Sequence, residues 1–176
     1  MNKWIKETSH YAYKGWRHII KKQFKMPNGE STVFDVVDNS NYVTVAAFTS
    51  EGEAILVRQF RPGPEKELIS FPEGYIDKGE SPEDAAKREL LEETGYEAGR
   101  IRHLKTFRSA YSTETRICLL AEDCRLKGDQ KLDQQEFIEV LTMPTADLRM
   151  LLQNTEVDSF TNVDAAYLAL DARKAL

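Results

Sequence analysis

Alternating apolar and polar positions dominate the first third of the chain and predict β-strands. Residues 17–25 (RHIIKKQFK) and 30–37 (ESTVFDVV) fit two strands, and residues 26–29 join them through Asn-Gly, a strong signal for a hairpin turn. Residues 42–48 and 54–60 are rich in β-branched side chains and are separated by a short polar turn. The pattern therefore predicts an antiparallel meander in this part of the chain.

The second half of the chain mixes strand patterns with helical patterns. The predicted elements are a helix at 82–94, strands at 101–108, 115–121 and 136–143, and helices at 145–153 and 162–174. The last helix carries a continuous apolar side formed by Val163, Ala166, Tyr167 and Leu170. Strands followed by amphipathic helices predict an α/β fold, in which helices cover a mixed sheet.

The helix at 82–94 has clear signals at both ends. Ser81 is a good N-cap, Pro82 suits the first helical position, and Gly95 suits a left-handed C-terminal cap. The loop that precedes the helix, residues 72–79, contains Gly74, where the backbone can turn tightly or approach another group closely. This helix is the best-delimited element of the chain.

Three carboxylates share one face of this helix. Glu89, Glu92 and Glu93 stand at i, i+3 and i+4, and therefore within an arc of about 100°. Such a cluster is self-repelling, and a hard divalent cation is a natural source of the missing positive charge. The alternative is a solvated acidic face that pairs with Lys87 and Arg88.

Length and charge restrict the classes of function. The 176 residues fit a single domain spanning 1–176, and 41% hydrophobic with 30% charged residues is typical of a globular protein. A net charge of −5 argues against a general nucleic-acid or acidic-membrane surface. No apolar run indicates a secretory signal or a membrane span, so we expect a cytoplasmic protein.

The cysteines and histidines do not indicate a metal site. Cys118 and Cys124 lack CxxC spacing and are interpreted as buried or half-buried thiols rather than as a disulfide or a metal site. The three histidines are scattered along the chain, which argues against zinc.

The stretch from Gly74 to Tyr96 follows a longer pattern. Gly74 is followed by five residues and Glu80, then by seven residues and Arg88-Glu89, and finally by Leu-Leu-Glu-Glu-Thr-Gly-Tyr. This spacing resembles the Nudix box, so the chain resembles the Nudix hydrolase family. The resemblance implies the Nudix fold, an α/β/α sandwich with a mixed β-sheet, in which the box helix packs against the sheet.

Segments outside the box resemble one branch of that family. Residues 57–77 (VRQFRPGPEKELISFPEGYID), 110–114 (AYSTE) and 134–140 (QQEFIEV) are similar to segments of ADP-ribose and nucleotide-sugar hydrolases. One departure concerns Tyr111, sixteen positions after Gly95, where ADP-ribose hydrolases often carry proline. This departure weakens an assignment to ADP-ribose alone and leaves the nucleotide-sugar branch intact.

The resemblance implies metal-assisted hydrolysis of a small-molecule nucleotide, a nucleoside diphosphate linked to another group. Mg²⁺ or Mn²⁺ would be held by the carboxylates of Glu89, Glu92 and Glu93 and by the backbone carbonyl of Glu73, where this branch often has alanine. Arg88 is interpreted as an orienting partner that reaches Glu92, and Glu80 as a capping or bracing residue.

The acidic loop ahead of the last predicted strand could supply a general base. Glu136 is the best match to the branch, and Glu139 is the alternate. Glu136 could instead be a further metal ligand, or the loop could be an ordinary solvated turn.

Candidate substrate-binding residues lie outside the box. Guanidinium groups suit phosphate, which makes Arg58 and Arg61 candidates, although both could be ordinary surface charges. The other candidates are Glu114, near substrate or metal, and the aromatic residues Trp16, Trp4 and Phe24, which could stack on a nucleobase. These aromatics could instead pack in the core or in a homodimer interface, because residues 1–40 commonly join such an interface in this branch.

The predicted function is hydrolysis of the diphosphate bond of ADP-ribose or a related nucleoside diphosphate sugar, which gives a nucleoside monophosphate and a sugar phosphate. One alternative is a Nudix hydrolase of dinucleoside polyphosphates, coenzyme A or nucleoside triphosphates. A second is a non-catalytic Nudix-fold nucleotide-binding module, which the intact box argues against.

Overall fold

The computed structural model describes residues 3–156 and 158–174, which form two compact units. The first unit contains residues 3–41 and 107–115. The second contains residues 42–106 and 116–174, with residue 157 outside the description.

The first unit is built on a three-stranded antiparallel sheet in the order β1-β2-β3, with β1 at Ile5–Lys14, β2 at His18–Lys25 and β3 at Ser31–Asp38. The predicted hairpin is confirmed, because Gly29 has a φ of 91° and its N–H donates to the carbonyl of Met26 at 2.9 Å. Strand β1 was not predicted. Its side chains are exposed along its whole length, so it has no buried stripe that the sequence could reveal.

The remaining elements are β4 (Tyr42–Thr49), β5 (Ala54–Arg61), β6 (Lys66–Ser70), β7 (Glu73–Tyr75), α1 (Pro82–Thr94), β8 (Tyr96–Glu97), β9 (Arg100–Arg108), β10 (Thr115–Leu126), β11 (Glu139–Met143), α2 (Thr145–Gln153) and α3 (Val163–Lys174). Their sheet has the central order β11-β5-β4-β10-β8. Strand β4 is parallel to β10 and antiparallel to β5 and β7, so the predicted mixed sheet is confirmed.

The predicted meander is wrong in one respect. Its four segments belong to two sheets, because β2 and β3 pair with β1, whereas β4 and β5 join the larger sheet. Only Ala47–Ile55 and Phe48–Ala54 pair β4 with β5, and β7 covers the rest of that edge of β4. The short strand β7, which carries Glu73 and Gly74, was not predicted and brings the start of the box to the centre of the sheet.

Alternation along β4 supplies two cores, one on each face of the sheet. Val43, Val45 and Ala47 are buried in one apolar cluster with Leu90 of α1. Ala46 and Phe48 are buried in the other cluster, which contains Leu148 of α2 and Leu170 of α3. The predicted α/β/α layering is therefore confirmed.

The buried face of α3 differs from the prediction. Ala166 and Leu170 are buried as expected, but Val163 and Tyr167 are 37% and 40% exposed. Ala165 and Ala169 take their place, because small side chains let the helix approach the sheet closely.

The last strand begins later than predicted. Residues 136–138 precede β11, because Glu136 closes a turn in which its N–H donates to the carbonyl of Asp133 at 3.0 Å. Strand β10 is longer than predicted and continues to Leu126. In the described residues, none of the helices combines the length and the apolar character that crossing a bilayer requires.

Candidate active site

Helix α1 begins and ends where its sequence signals predict. The Ser81 hydroxyl accepts a hydrogen bond from the N–H of Asp84 at 3.1 Å, and Pro82 is the first helical residue. Gly95 has a φ of 74°, and its N–H donates to the carbonyl of Leu91. These caps set the register that decides which carboxylates face the sheet.

Gly74 is required by a close approach of strand and helix. A Cβ atom at this position would lie 1.9 Å from Cδ of Glu89, so any other residue there would displace the Glu89 carboxylate from its present position. Because side chains alternate along a strand, the Glu73 side chain points to the opposite face of the sheet from this contact.

Arg88 binds most of the carboxylates on its side of the helix. Its guanidinium donates from Nε and Nη2 to both oxygens of Glu80 at 2.9 Å, and from Nη1 to Glu89 at 2.7 Å and Glu92 at 3.2 Å. A further bond from Nη2 reaches the carbonyl of Tyr75 at 2.9 Å, in the loop before the helix. The predicted contact with Glu92 is present, and Glu80 braces the loop.

Arg88 offsets part of the negative charge on this side. The guanidinium of Arg88 lowers the pKa of the Glu80 carboxyl, and the same bond to Glu80 is the main cause that raises the pKa of Arg88. The arginine therefore serves as an internal counter-charge for the carboxylates it touches.

Glu93 has a different environment. Its side chain is only 4% exposed, and its carboxylate accepts a hydrogen bond from the N–H of Glu73 at 3.2 Å. Burial raises the pKa of Glu93 well above its usual value, and the nearby charges of Glu89, Glu73 and Glu136 raise it further. Burial also raises the pKa of Glu89, although Arg88 opposes this effect.

The residues around Glu93 suit a cation. Glu89, Glu73 and Glu136 offer carboxylate oxygens, and their charges raise the pKa of Glu93, which fits a hard divalent ion. As they stand in residues 3–156 and 158–174, no three side chains of the usual acidic, His or Cys types are arranged to hold one ion. Glu89 and Glu92 are engaged by Arg88, and Glu73 by Arg61.

The Glu73 carboxylate belongs to a partly buried polar network. It accepts from Nη2 of Arg61 at 2.9 Å and from Nδ2 of Asn162 at 3.4 Å, while burial raises its pKa. Asn162 also bonds both the N–H and the carbonyl of Phe71, at 3.0 and 3.1 Å. Sequence reasoning missed Asn162, since nothing local distinguishes an asparagine that lies 91 positions from its partner.

The two candidate bases occupy different positions. The charge of Glu136 contributes to the raised pKa values of Glu89 and Glu93, so this carboxylate acts electrostatically on those of α1. The Glu139 carboxylate forms an ion pair with Arg58 at 2.8 Å. Alternation along β11 puts Glu139 on the face of Leu141, which packs on the cluster of α2 and α3.

Arg58, Glu136 and Glu139 share a groove. It has a volume of about 390 Å³ and is also lined by Glu67, Leu132, Phe137 and Ile138. The groove therefore joins one predicted phosphate-binding residue to both candidate bases.

The remaining predicted substrate residues lie in the first unit. Trp16 is 87% exposed in the turn after β1, and Glu114 accepts a hydrogen bond from Nδ2 of Asn39. Trp4 packs edge-on against Phe24 at 6.4 Å between ring centroids.

Both thiols are buried, as predicted. Burial raises the pKa of Cys118 and of Cys124 to about 11, so neither is a ready nucleophile at neutral pH.

Known proteins share both the sequence and the fold. A model of the NUDIX domain matches residues 39–162. The ADP-ribose pyrophosphatase of Bacillus subtilis (strain 168) is 36% identical over 156 residues, which cover 86% of this chain and 84% of the relative. A methanol dehydrogenase activator of Bacillus methanolicus is 30% identical over 159 residues, which cover 86% of each chain.

A solved structure gives the same picture of the fold. The crystal structure of an ADP compounds hydrolase superimposes with a TM-score of 0.85, covering 98% of this chain and 95% of that one, at 24% identity. At 24% identity, this superposition shows a shared fold and does not establish a shared activity.

Proposed function

The chain belongs to the NUDIX domain family, and we propose that it hydrolyses the diphosphate bond of ADP-ribose or of a related nucleoside diphosphate sugar. The family predicted from the box is confirmed, and the chain is a pyrophosphohydrolase of that family. The products are a nucleoside monophosphate and a sugar phosphate. The observation that carries the proposal is the buried, uncompensated carboxylate of Glu93 within a complete box, in a chain closely similar to an ADP-ribose pyrophosphatase.

Enzymes of this family act with a divalent metal, and we propose Mg²⁺, with Mn²⁺ as a substitute. The proposed ligands are the carboxylates of Glu89, Glu92 and Glu93 and the carbonyl of Glu73. When bound, the metal neutralises charge on the diphosphate and lowers the pKa of bound water.

The protein residues supply orientation and proton transfer. Arg88 fixes the carboxylates of Glu89 and Glu92 through charge-assisted hydrogen bonds. Glu136 accepts the proton of the attacking water, a role supported by its proximity to Glu89 and Glu93 and by its exposure to solvent. Glu139 is the weaker candidate because Arg58 already binds its carboxylate.

Substrate binding is assigned to four residues. Arg58 and Arg61 are proposed to contact the phosphates, although each is now paired with a carboxylate, Glu139 and Glu73 respectively. Glu114 and Trp16 are proposed to contact other parts of the nucleotide.

The proposal extends to assembly and location. We expect one cooperative domain, a homodimer whose interface includes residues 1–40, and a cytoplasmic protein that binds no nucleic acid. Light scattering coupled to size-exclusion chromatography tests the dimer, and a single thermal transition tests the single domain.

A substrate panel with Mg²⁺, coupled to alkaline phosphatase, tests the reaction. Intact ADP-ribose resists the phosphatase, whereas both products release phosphate. Nucleoside triphosphates are themselves phosphatase substrates, so they are followed by release of pyrophosphate or monophosphate in a separation assay. We expect turnover of ADP-ribose or another nucleotide sugar.

Two controls make this experiment decisive. The Glu93→Gln variant, purified in parallel, excludes a contaminating hydrolase. Chelator should also stop the reaction, and the products are then followed by separation, because alkaline phosphatase itself depends on bound metal ions. If no nucleotide sugar is hydrolysed and a nucleoside triphosphate is, the proposed substrate class is wrong and the triphosphate takes its place. Full turnover in chelator would refute the metal assignment.

A further inference from the structure

The loop between β10 and β11, residues 127–138, is attached to the C-terminal end of α1. The N–H of Lys127 donates to the carbonyl of Gly95 at 2.9 Å, and the N–H of Lys131 donates to the carbonyl of Glu92 at 2.8 Å. The last carbonyls of a helix have no partner within the helix. The loop therefore caps α1 and is fixed against the residues that carry the box carboxylates.

One side chain joins this helix end to the far end of the loop. Nε2 of Gln130 donates to the carbonyl of Glu93 at 2.6 Å and to the carbonyl of Ile138 at 3.1 Å. Glu93 is the buried carboxylate of the site, and Ile138 stands two positions after Glu136. Both donors of a single amide are thus used to hold the exit of the loop against the helix.

We propose that Gln130 is a positioning residue that determines where Glu136 stands relative to the carboxylates of α1. This inference rests on the proposed function, because Gln130 affects catalysis only if Glu136 is the proton acceptor of the proposed reaction. Within the described residues, the hydrogen bonds of the Gln130 side chain go to backbone carbonyls, so it acts through the loop.

The local structure around Glu136 favours this role. Glu136 accepts from the N–H of Asp133 at 3.0 Å and donates its own N–H to the carbonyl of Asp133, so it is fixed within a small turn. The two hydrogen bonds within this turn do not involve Gln130. Loss of Gln130 should therefore move the turn as a body and carry the Glu136 carboxylate away from Glu89 and Glu93.

A double-mutant cycle tests the proposal. Gln130→Ala removes both donors, and Glu136→Gln removes the proton acceptor. We expect Gln130→Ala to lower kcat by about 10- to 100-fold, the range typical of residues that orient a site. The double variant should be no slower than Glu136→Gln alone, because misplacing the loop has no further effect once its carboxylate is gone.

The same loop provides matched controls. Gln134→Ala and Gln135→Ala remove the same amide from exposed positions of the same loop and should leave kcat within about twofold. If Gln130→Ala fails to fold, Gln130→Met retains the length of the side chain without its donors and serves the same cycle.

A second measurement does not depend on turnover. Amide hydrogen exchange of the metal-free protein should be faster across residues 131–138 in Gln130→Ala than in wild type, with the middle of α1 unchanged. Unchanged exchange would overturn the proposal. So would a double variant in which the two losses multiply, since that result would make Gln130 independent of Glu136.

The outcome remains separable from that of the proposed function. If wild type turns over a different compound of the panel, the cycle is measured on that compound and the exchange result is unaffected. Suppose that wild type hydrolyses ADP-ribose but the kcat losses of Gln130→Ala and Glu136→Gln multiply in the double variant. The positioning role of Gln130 is then refuted, and the proposed function remains.

Discussion

The two edges of the acidic face of helix α1 place their carboxylates in different electrostatic environments. On one side, Arg88 binds Glu80, Glu89 and Glu92 through its guanidinium, and the pKa of Glu80 is lowered. On the other side, Glu93 is buried, its carboxylate accepts from a backbone N–H, and its pKa is raised. One guanidinium offsets part of the charge of three carboxylates on the first side, whereas on the second side burial and neighbouring acids raise the pKa of Glu93.

This difference shows where a cation is needed. The ionised carboxylate of Glu80, which Arg88 holds, favours the fold, whereas the buried carboxylate of Glu93 beside other acids opposes the fold until positive charge arrives. Glu93 therefore marks the site more clearly than the number of acids in the box does.

The largest effect is expected from Glu93→Gln. Loss of a ligand that supports several kcal/mol of transition-state stabilisation should lower kcat by about 10³-fold, while the fold is retained because glutamine has the same shape. Turnover of ADP-ribose with Mg²⁺, with circular dichroism as the check on folding, measures this. Glu83→Gln, exposed on the first turn of the same helix, is the control, and near-normal activity of Glu93→Gln would contradict the metal assignment.

The next effect separates the two candidate bases. Glu136→Gln should lower kcat by about 10²-fold, at the lower end of the range for general-base catalysis. Glu139→Gln should cost about threefold, because it disturbs only an exposed ion pair with Arg58. Steady-state kinetics of the two variants decide the assignment, and a larger loss in Glu139→Gln would reverse it.

A smaller effect is expected from the Arg88 side chain. Arg88→Lys retains the charge but loses the forked geometry that holds three carboxylates, so kcat should fall by about tenfold. The concentration of Mg²⁺ for half-maximal rate should rise as well, since Glu89 and Glu92 are no longer oriented. Lys87→Ala, at an exposed neighbouring position, should behave as wild type. An equal loss of kcat in both variants would show that Arg88 does not orient the carboxylates.

The smallest effect concerns stability without metal. Because the folded state raises the pKa of Glu93, its carboxyl stabilises the fold only while protonated, and this contribution is lost as the pH rises above the ordinary glutamate value of 4.5. In chelator, the Tm of wild type should therefore decline more steeply above this pH than the Tm of Glu93→Gln. Thermal melts at several pH values measure how Tm depends on pH. Equal slopes for the two proteins would mean that ionisation of Glu93 does not destabilise the fold.

Much of the site was predictable because its signals are local. The cap residues Ser81 and Gly95 fix the helix within a few positions of the chain, and the spacing of Glu89, Glu92 and Glu93 fixes their shared face. The Asn-Gly turn at residues 28–29 fixed the first hairpin for the same reason. Such features depend on neighbours along the chain, so the sequence contains all the information that they need.

Other parts could not be predicted because their partners are distant. The sequence suggests that Arg58 and Arg61 are free to bind phosphate, but each forms an ion pair. Arg58 pairs with Glu139, 81 positions away, and Arg61 pairs with Glu73, 12 positions away. The exposed strand β1 owes its conformation to pairing with β2, and the buried face of α3 was decided by small alanines that fit the sheet. Hydropathy does not report any of these contacts.

The sequence by itself determined the family, the helix and the set of acids that the chemistry requires, because these follow from residue types at fixed short spacings. The tertiary structure alone decided which acid is buried without a counter-charge, which arginines are already paired, and which loop faces α1. Those properties depend on desolvation and on distances through space, and both arise only when the sheet brings remote segments together.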